Sequence, residues 1–479
     1  MMPVGRMPGQ ENELEENMQY SQIINAYIET HQDELLEMLG RFCAIPSVAA
    51  GRSAANAPFG NPCRQVLNEA LRTCEAYGFE TLDDEGYAGH AQIGSGEELI
   101  GVMAHLDVVP AGDGWASDPF RLDIRGGKAY ARGAVDNKGP AAATIYAMHV
   151  LKVAGVPLKR RIRVILGCNE ENGMDDLEHY FAGQEMPLWG FTPDAEFPVI
   201  NCEKHIFHAR LTREVGEMGD VLYIQAGERF NVVPEKATAV IRREWTRDEL
   251  DRITQYAQQN GIRIETGERS LTVYGVAAHA SHPALGINAA SHLLTLICSL
   301  GITGDGAGAE AMQYLCESVG FETDGRSLGM ACADEESGPL TCNFGIFRYD
   351  TKNLTACFDM RCPVTVEPDV LRRNMRDAAE RGGFEMSVDH FDEGILVSED
   401  KELIKVLLET YEEETGKEAH VVSIGGGTYA RQMRNRAVAF GPCFPGDVDM
   451  CHQRDEYIGV ENLVSLCKMI AQALLKLAA

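Results

Sequence analysis

The sequence predicts an α/β fold in which a discontinuous domain on a mostly parallel sheet is interrupted by a large inserted α+β domain. Three observations lead there. The apolar run 99–109, the Ala-rich stretch 139–153 and the apolar run 161–167 read as strand, helix and strand, and that order over that distance makes a βαβ unit with parallel strands. After Lys204 the texture changes to shorter strand-like pieces, 206–211, 237–242 and 270–276, alternating with helices at 247–260 and 289–300. Near Phe391 the first texture returns, and a chain of 479 residues exceeds the size at which a single core stops growing.

Taken in order, residues 1–20 are polar, lack an apolar leader core and read as a short disordered tail. From 21 to 42, Ile24, Tyr27, Ile28, Leu35, Met38, Leu39 and Phe42 fall near helical spacing, and Pro46 follows. A second helix spans 63–77 and is closed by Gly78. The strand 87–93 is separated from 99–109 by the turn Gly94-Ser95-Gly96. In the helix 139–153, Pro140 suits the first turn and Gly155 closes the end. Late in the chain come a helix at 401–415, a strand at 419–424, a Gly-rich turn and a last helix at 460–477. The first domain is therefore expected at 21–203 and 393–479, and the insert at 204–392.

The net charge of -29, from 43 basic and 72 acidic residues, argues against nucleic acid or an anionic membrane as partner. No apolar run approaches the ~18 residues of a membrane span. Fourteen scattered cysteines with no CxxC pair read as free thiols of a cytoplasmic protein, and Cys168 and Cys202 are expected to pack rather than react.

Five side chains stand out as ligands for divalent metal: His105, Asp136, Glu171, Asp194 and His452. His105 and Glu171 follow strand-like runs, and in parallel sheets ligands bind at the carboxyl ends of strands. Two imidazoles and three carboxylates suit two metal ions sharing one carboxylate, with a bridging water of lowered pKa between them. Asp107 lies two residues past His105, on the same strand face, where it could accept a hydrogen bond from the imidazole and fix its tautomer. Glu170, next to Glu171, is free to take the proton of that water.

The segments around these residues carry a resemblance. Gly101-Val-Met-Ala-His105-Leu-Asp107-Val-Val-Pro110, Ala131-Arg-Gly-Ala-Val-Asp136-Asn-Lys-Gly-Pro140, Gly167-Cys-Asn-Glu170-Glu171-Asn-Gly-Met174, Phe191-Thr-Pro-Asp194-Ala-Glu-Phe-Pro198 and Met450-Cys-His452-Gln453 occur in one order along nearly the whole chain. They resemble the metal motifs of the metallopeptidase family of aminoacylases, glutamate carboxypeptidases and dipeptidases. The segment following Asp194, the late Gly426-Gly427-Thr-Tyr-Ala-Arg431 and the size of the insert are similar to the peptidase V-type dipeptidases of that family. The resemblance implies a di-metal catalytic domain, a lid domain and a monomer, with Asp136 as bridging ligand and a cis peptide at Asp136–Asn137. It also implies lid residues that meet the substrate: His279 in Ala278-His279-Ala-Ser281 stabilises the oxyanion, and Asn231 and Arg361 contact the substrate and its C-terminal carboxylate. The Gly425–Gly427 run, Gly427 included, lets backbone approach the substrate closely. Asn169 stands where the family has aspartate, and His205 where the dipeptidases have glycine.

The expected activity is hydrolysis of a short peptide, chiefly a dipeptide, with two divalent ions, zinc first and manganese or cobalt as alternatives. An N-acyl amino acid deacylase would share every ligand. A non-hydrolytic metal-binding protein would be expected to have lost Glu170 or a ligand, and all are present.

Overall fold

The computed structural model describes residues 8–479, the side chains from residue 16 onward. They form two compact units. The first comprises the chain up to Asn201, Leu396–Val422 and Thr428–Ala479; the second comprises Cys202–Ile395 and Ser423–Gly427. The Gly-rich turn thus groups with the second unit, not with 393–479 as the sequence had it. Its carbonyls explain why: Ile424 accepts from the Lys204 amide at 3.0 Å and Gly425 from Arg361 Nη1 at 2.7 Å.

The first unit is built on a mixed sheet. Its centre is parallel, with Arg161–Gly167, Leu99–His105, Trp189–Thr192 and Ala437–Ala439 as successive neighbours. Ala88–Ile93 and Glu80–Asp84 extend it antiparallel on one side, so the strand before the turn at Gly94–Gly96 ends up beside Arg161–Gly167. Every residue of Leu99–His105 is buried, as expected of a strand covered on both faces. The helix Lys138–Val153 is buried over nearly its whole circumference and packs against that strand and against the C-terminal helix Val460–Ala478. Its alanines allow the close approach. The long apolar run 99–109 leaves the sheet at His105, where the Leu106 amide donates to Gly167 O at 2.9 Å. That hydrogen bond ties together the carboxyl ends of two adjacent parallel strands.

At the N-terminus, helix Pro8–Thr30 starts upstream of the periodic stretch, since Glu, Gln and Met there are good helix formers without an apolar face. Residues 1–7 of the expected tail lie outside the described residues. The single helix expected over 21–42 breaks before Gln32–Cys43. At the break, Thr30 Oγ1 bonds back to Ala26 O at 2.8 Å and His31 Nδ1 lies 3.0 Å from Tyr27 O, side chains competing with the helix ladder.

The second unit carries an eight-stranded antiparallel sheet, in the order Arg263–Thr266, Ser270–Tyr274, Lys236–Ile241, Val221–Ala226, Thr341–Tyr349, Asn353–Cys362, His205–Glu214 and Glu385–Asp392. A core separate from that of the first unit unites this sheet with helices such as Ala289–Leu300 and Ala307–Ser318. Helix starts are well capped: Asn288 Oδ1 accepts from Ala290 and Ser291, and Thr246 with Glu249 forms a capping box for Arg247–Asn260. Among the described residues no helix is long and apolar enough to cross a membrane.

Candidate metal centre

Seven of the residues singled out from the sequence meet in the first unit, at the carboxyl ends of its central strands and in the loops beside them. His105 is the last residue of its strand and 1% exposed. Its Nδ1 lies 3.0 Å from the main-chain carbonyl of Asp107 and 3.4 Å from that residue's Oδ1. A carbonyl can only accept, so Nδ1 carries a hydrogen and Nε2 is the ring nitrogen left to face the acids, where a metal could take the place of its proton. Asp107 thus sets the tautomer chiefly through its backbone, not its carboxylate as the spacing implied. The carboxylate instead accepts the amides of Glu170 and Glu171, each at 3.2 Å.

His105 Nε2 faces Asp136 Oδ1 at 3.0 Å and Asp194 Oδ1 at 3.6 Å. The other oxygen of Asp136 lies 3.1 Å from His452 Nε2, which also stands 2.9 Å from Glu171 Oε2. Asp136 therefore lies between the two imidazoles. Asn137, joined to it by a cis peptide, donates to Asp194 Oδ1 at 2.9 Å and to Pro193 O at 2.7 Å. Ligand atoms of His105, Asp136 and Glu171 come within 4.8 Å of one another, as do those of His105, Glu170 and Asp194. Glu170 reaches the same space as the ligands, close enough to share a water with them.

The charges fit cations. Burial and the neighbouring charges of Asp194, Glu171 and Asp136 push the Glu170 carboxyl well above its usual range. Glu171 is raised by burial and by Asp136. The Asp136 and Glu171 carboxylates hold His452 up at about 11. Two crowded glutamates with raised pKa values, beside Asp136, Asp194 and two imidazoles whose Nε2 atoms face them, make a donor set of the right kind for divalent metal.

The loop that brings Asp136 in is held by a residue the sequence reading passed over. The Glu456 carboxylate is fully buried, pairs with Arg132 Nη1 at 2.7 Å, and accepts the amides of Gly133, Val135 and Asp136 at 3.0, 2.9 and 3.2 Å. Burial and the Asp136 charge push Glu456 up to about 7. Arg132, a cation inside the Gly- and Ala-rich motif of Asp136, was the available signal that a buried acid would be needed.

Residues 101–476 match the family model described as peptidase family M20/M25/M40. The chain belongs to that family. It is 39% identical over 460 residues to a Bacillus subtilis protein named "Putative dipeptidase YtjP", covering 93% of this chain and 98% of that one. A Staphylococcus saprophyticus protein of the same description is 33% identical over 465 residues, covering 94% and 98%. Among solved structures, the fold is similar to that of human carnosine dipeptidase 1, with TM-score 0.57, 16% identity and 95% of this chain and 98% of that chain covered. It is also similar to the dipeptidase Dug1p of Saccharomyces cerevisiae, with TM-score 0.59, 13% identity and coverage of 95% and 98%.

The remaining candidates of this M20 chain lie in the second unit. Asn231 and His279 sit side by side on paired backbone: the Ala280 amide donates to Asn231 O at 3.0 Å, and Val233 to Ala278 O at 2.9 Å. Both side chains are exposed, and His279 Nδ1 lies 2.6 Å from Ser281 Oγ. Arg361 is buried and already engaged. Its Nε and Nη2 grip Asp359 at 2.7 and 2.8 Å, and Nη1 donates to Gly425 O. Burial alone would raise Asp359, but the Arg361 guanidinium and the His208 imidazole prevail and hold it at about 2. Positions i and i+2 on a strand share a face, so this partner was legible at Asp359-Met-Arg361. Gly427 closes the Ser423–Gly427 segment and is half-buried.

Proposed function

We propose that this protein is a metal-dependent dipeptidase. The observation that carries the reading is the cluster itself: a half-buried Glu170 with a raised pKa joins His105 and Asp194, and the same His105 joins Asp136 and Glu171. The family and the dipeptidase-named relatives support it.

His105, Asp136, Asp194, Glu171 and His452 would hold two divalent ions, zinc first, with Asp136 shared. The ions supply Lewis-acid chemistry, acidifying a water and polarising the scissile carbonyl. Glu170 accepts the proton of the attacking water as the C–O bond forms, then gives it to the amine nitrogen as the C–N bond breaks, with no net proton change at Glu170. His279 donates to the carbonyl oxygen as negative charge develops there. Asn231, Arg361 and the Gly427 backbone receive the free carboxylate end, Arg361 with the N–H groups left beyond its bonds to Asp359 and Gly425. The protein works as a monomer in the cytosol, a compartment in keeping with its fourteen free cysteines.

The test is to strip the protein with chelator and assay dipeptides, tripeptides and N-acetyl amino acids with zinc, manganese or cobalt restored. Cleavage should return only with metal, favour dipeptides, and fall about 10²–10⁴-fold in Glu170→Ala. A preference for N-acetyl amino acids would replace the dipeptidase reading with a deacylase. No cleavage of any member of the panel, with two metals bound, would reject hydrolysis of these substrates.

A further inference from the structure

Past the strand Arg161–Gly167 the chain must turn and present two adjacent glutamates in different directions. Four successive amides make that turn, and all four are held by two carboxylates. Cys168 N and Asn169 N donate to Asp176 Oδ2 at 2.6 and 2.8 Å. Glu170 N and Glu171 N donate to Asp107 Oδ1 and Oδ2, each at 3.2 Å. Both aspartates are fully buried. Asp176 Oδ2 takes a further bond from the Tyr429 hydroxyl, and Oδ1 accepts the Leu177 amide at 2.8 Å. The ring of Tyr429 in turn stands edge-on to His105, with centroids 6.1 Å apart.

Room for this arrangement depends on Gly167. A Cβ at that position would come within 2.5 Å of Asp176 Oδ2 and collide with the Tyr429 hydroxyl as well. Burying a carboxylate is costly, and burial with the Asp107 charge pushes Asp176 up to about 6 although the amide and hydroxyl hydrogen bonds pull the other way. Packing alone would be served by an apolar side chain of similar size. What the acid adds is direction: it fixes the peptide planes from which Glu170 and Glu171 diverge.

We propose that Asp176 is a positioning residue for this centre, setting with Asp107 the turn that aims Glu170 at the water and Glu171 at the metal, and that Tyr429 locks Asp176 in place. The inference rests on the roles given above to Glu170 and Glu171. Misplacing a reacting group by ~1 Å can cost about 10²-fold in rate, so a turn held at every amide is a means of keeping activity.

The full-length protein would be compared with Asp176→Asn and Tyr429→Phe by three measurements: titration of metal-free protein with Mn²⁺, steady-state kinetics on a dipeptide at saturating metal, and thermal melting. Asp176→Asn should weaken Mn²⁺ binding about 10–100-fold and lower kcat to a similar extent with KM little changed. Tyr429→Phe should move both quantities the same way by less. Mn²⁺ affinity and kcat at wild-type values in these variants would overturn the proposal, as would a fall in melting temperature alone. Should Asp176→Asn fail to fold, Tyr429→Phe decides by the same criteria. A wild type that hydrolyses no dipeptide would sink the functional reading, while the Mn²⁺ titrations would still decide for or against Asp176.

Discussion

The two imidazoles of the centre are held in opposite ways. His105 ends a buried strand, is 1% exposed, and has its far nitrogen fixed by the Asp107 carbonyl. His452 lies in a loop, adopts a left-handed backbone at φ 63°, and leaves 53% of its side chain in solvent. It is tied by the acids it faces and by its own carbonyl, which accepts from Arg132 Nη2 at 3.4 Å. One half of the centre is therefore built into the sheet, whereas the other depends on a loop that metal binding would tighten. Preorganisation is unevenly distributed, and mutations on the two sides should read differently.

The largest effect is expected from His105→Ala. It removes a proposed ligand and the imidazole that stands between Asp136 and Asp194, so metal binding and hydrolysis should both vanish, by titration and assay. Retention of two tightly bound ions would break the comparison. Next comes Glu456→Gln, which strips the buried Arg132 of its charge partner while the Asp136 loop loses an acceptor. Removing one member of a buried pair costs about 3–5 kcal/mol, to be read from denaturant unfolding of the metal-free protein. The smallest is His452→Ala. Stability should be nearly unchanged, metal affinity should fall, and because the side chain is half in solvent, added imidazole should restore part of the lost activity. Failure of imidazole to do so, with metal affinity reduced, would show the loop to be more rigid than its exposure implies.

How much of this was legible in the sequence follows from the range of the contacts involved. His105 and Glu170-Glu171 announce themselves because an apolar run stops at a polar residue, a local pattern that a parallel sheet turns into a site. Asp176 and Glu456 did not. Each is an ordinary acid in the sequence, and a partner that marks it lies far away, Tyr429 for Asp176 and the Arg132–Asp136 loop for Glu456. Burial of a carboxylate is a tertiary fact with no periodic signature. The antiparallel setting of Ala88–Ile93 was likewise hidden, since alternation and apolarity identify a strand but not its neighbour. Helix Pro8–Thr30 was underestimated because propensity, not an apolar face, extends it. Asp359 was the one near miss, two residues from Arg361 and within reach of a simple parity argument.

The grouping of Ser423–Gly427 with the second unit has a practical consequence for anyone wishing to exchange or remove that unit. The chain passes between units at Asn201–Cys202, Ile395–Leu396, Val422–Ser423 and Gly427–Thr428. Excising the long insert at the first pair alone would strand a glycine-rich loop whose partners, Lys204 and Arg361, had gone with the excised piece. A working chimera therefore has to transplant two segments, nearly thirty positions apart in the recipient's chain, as one cassette.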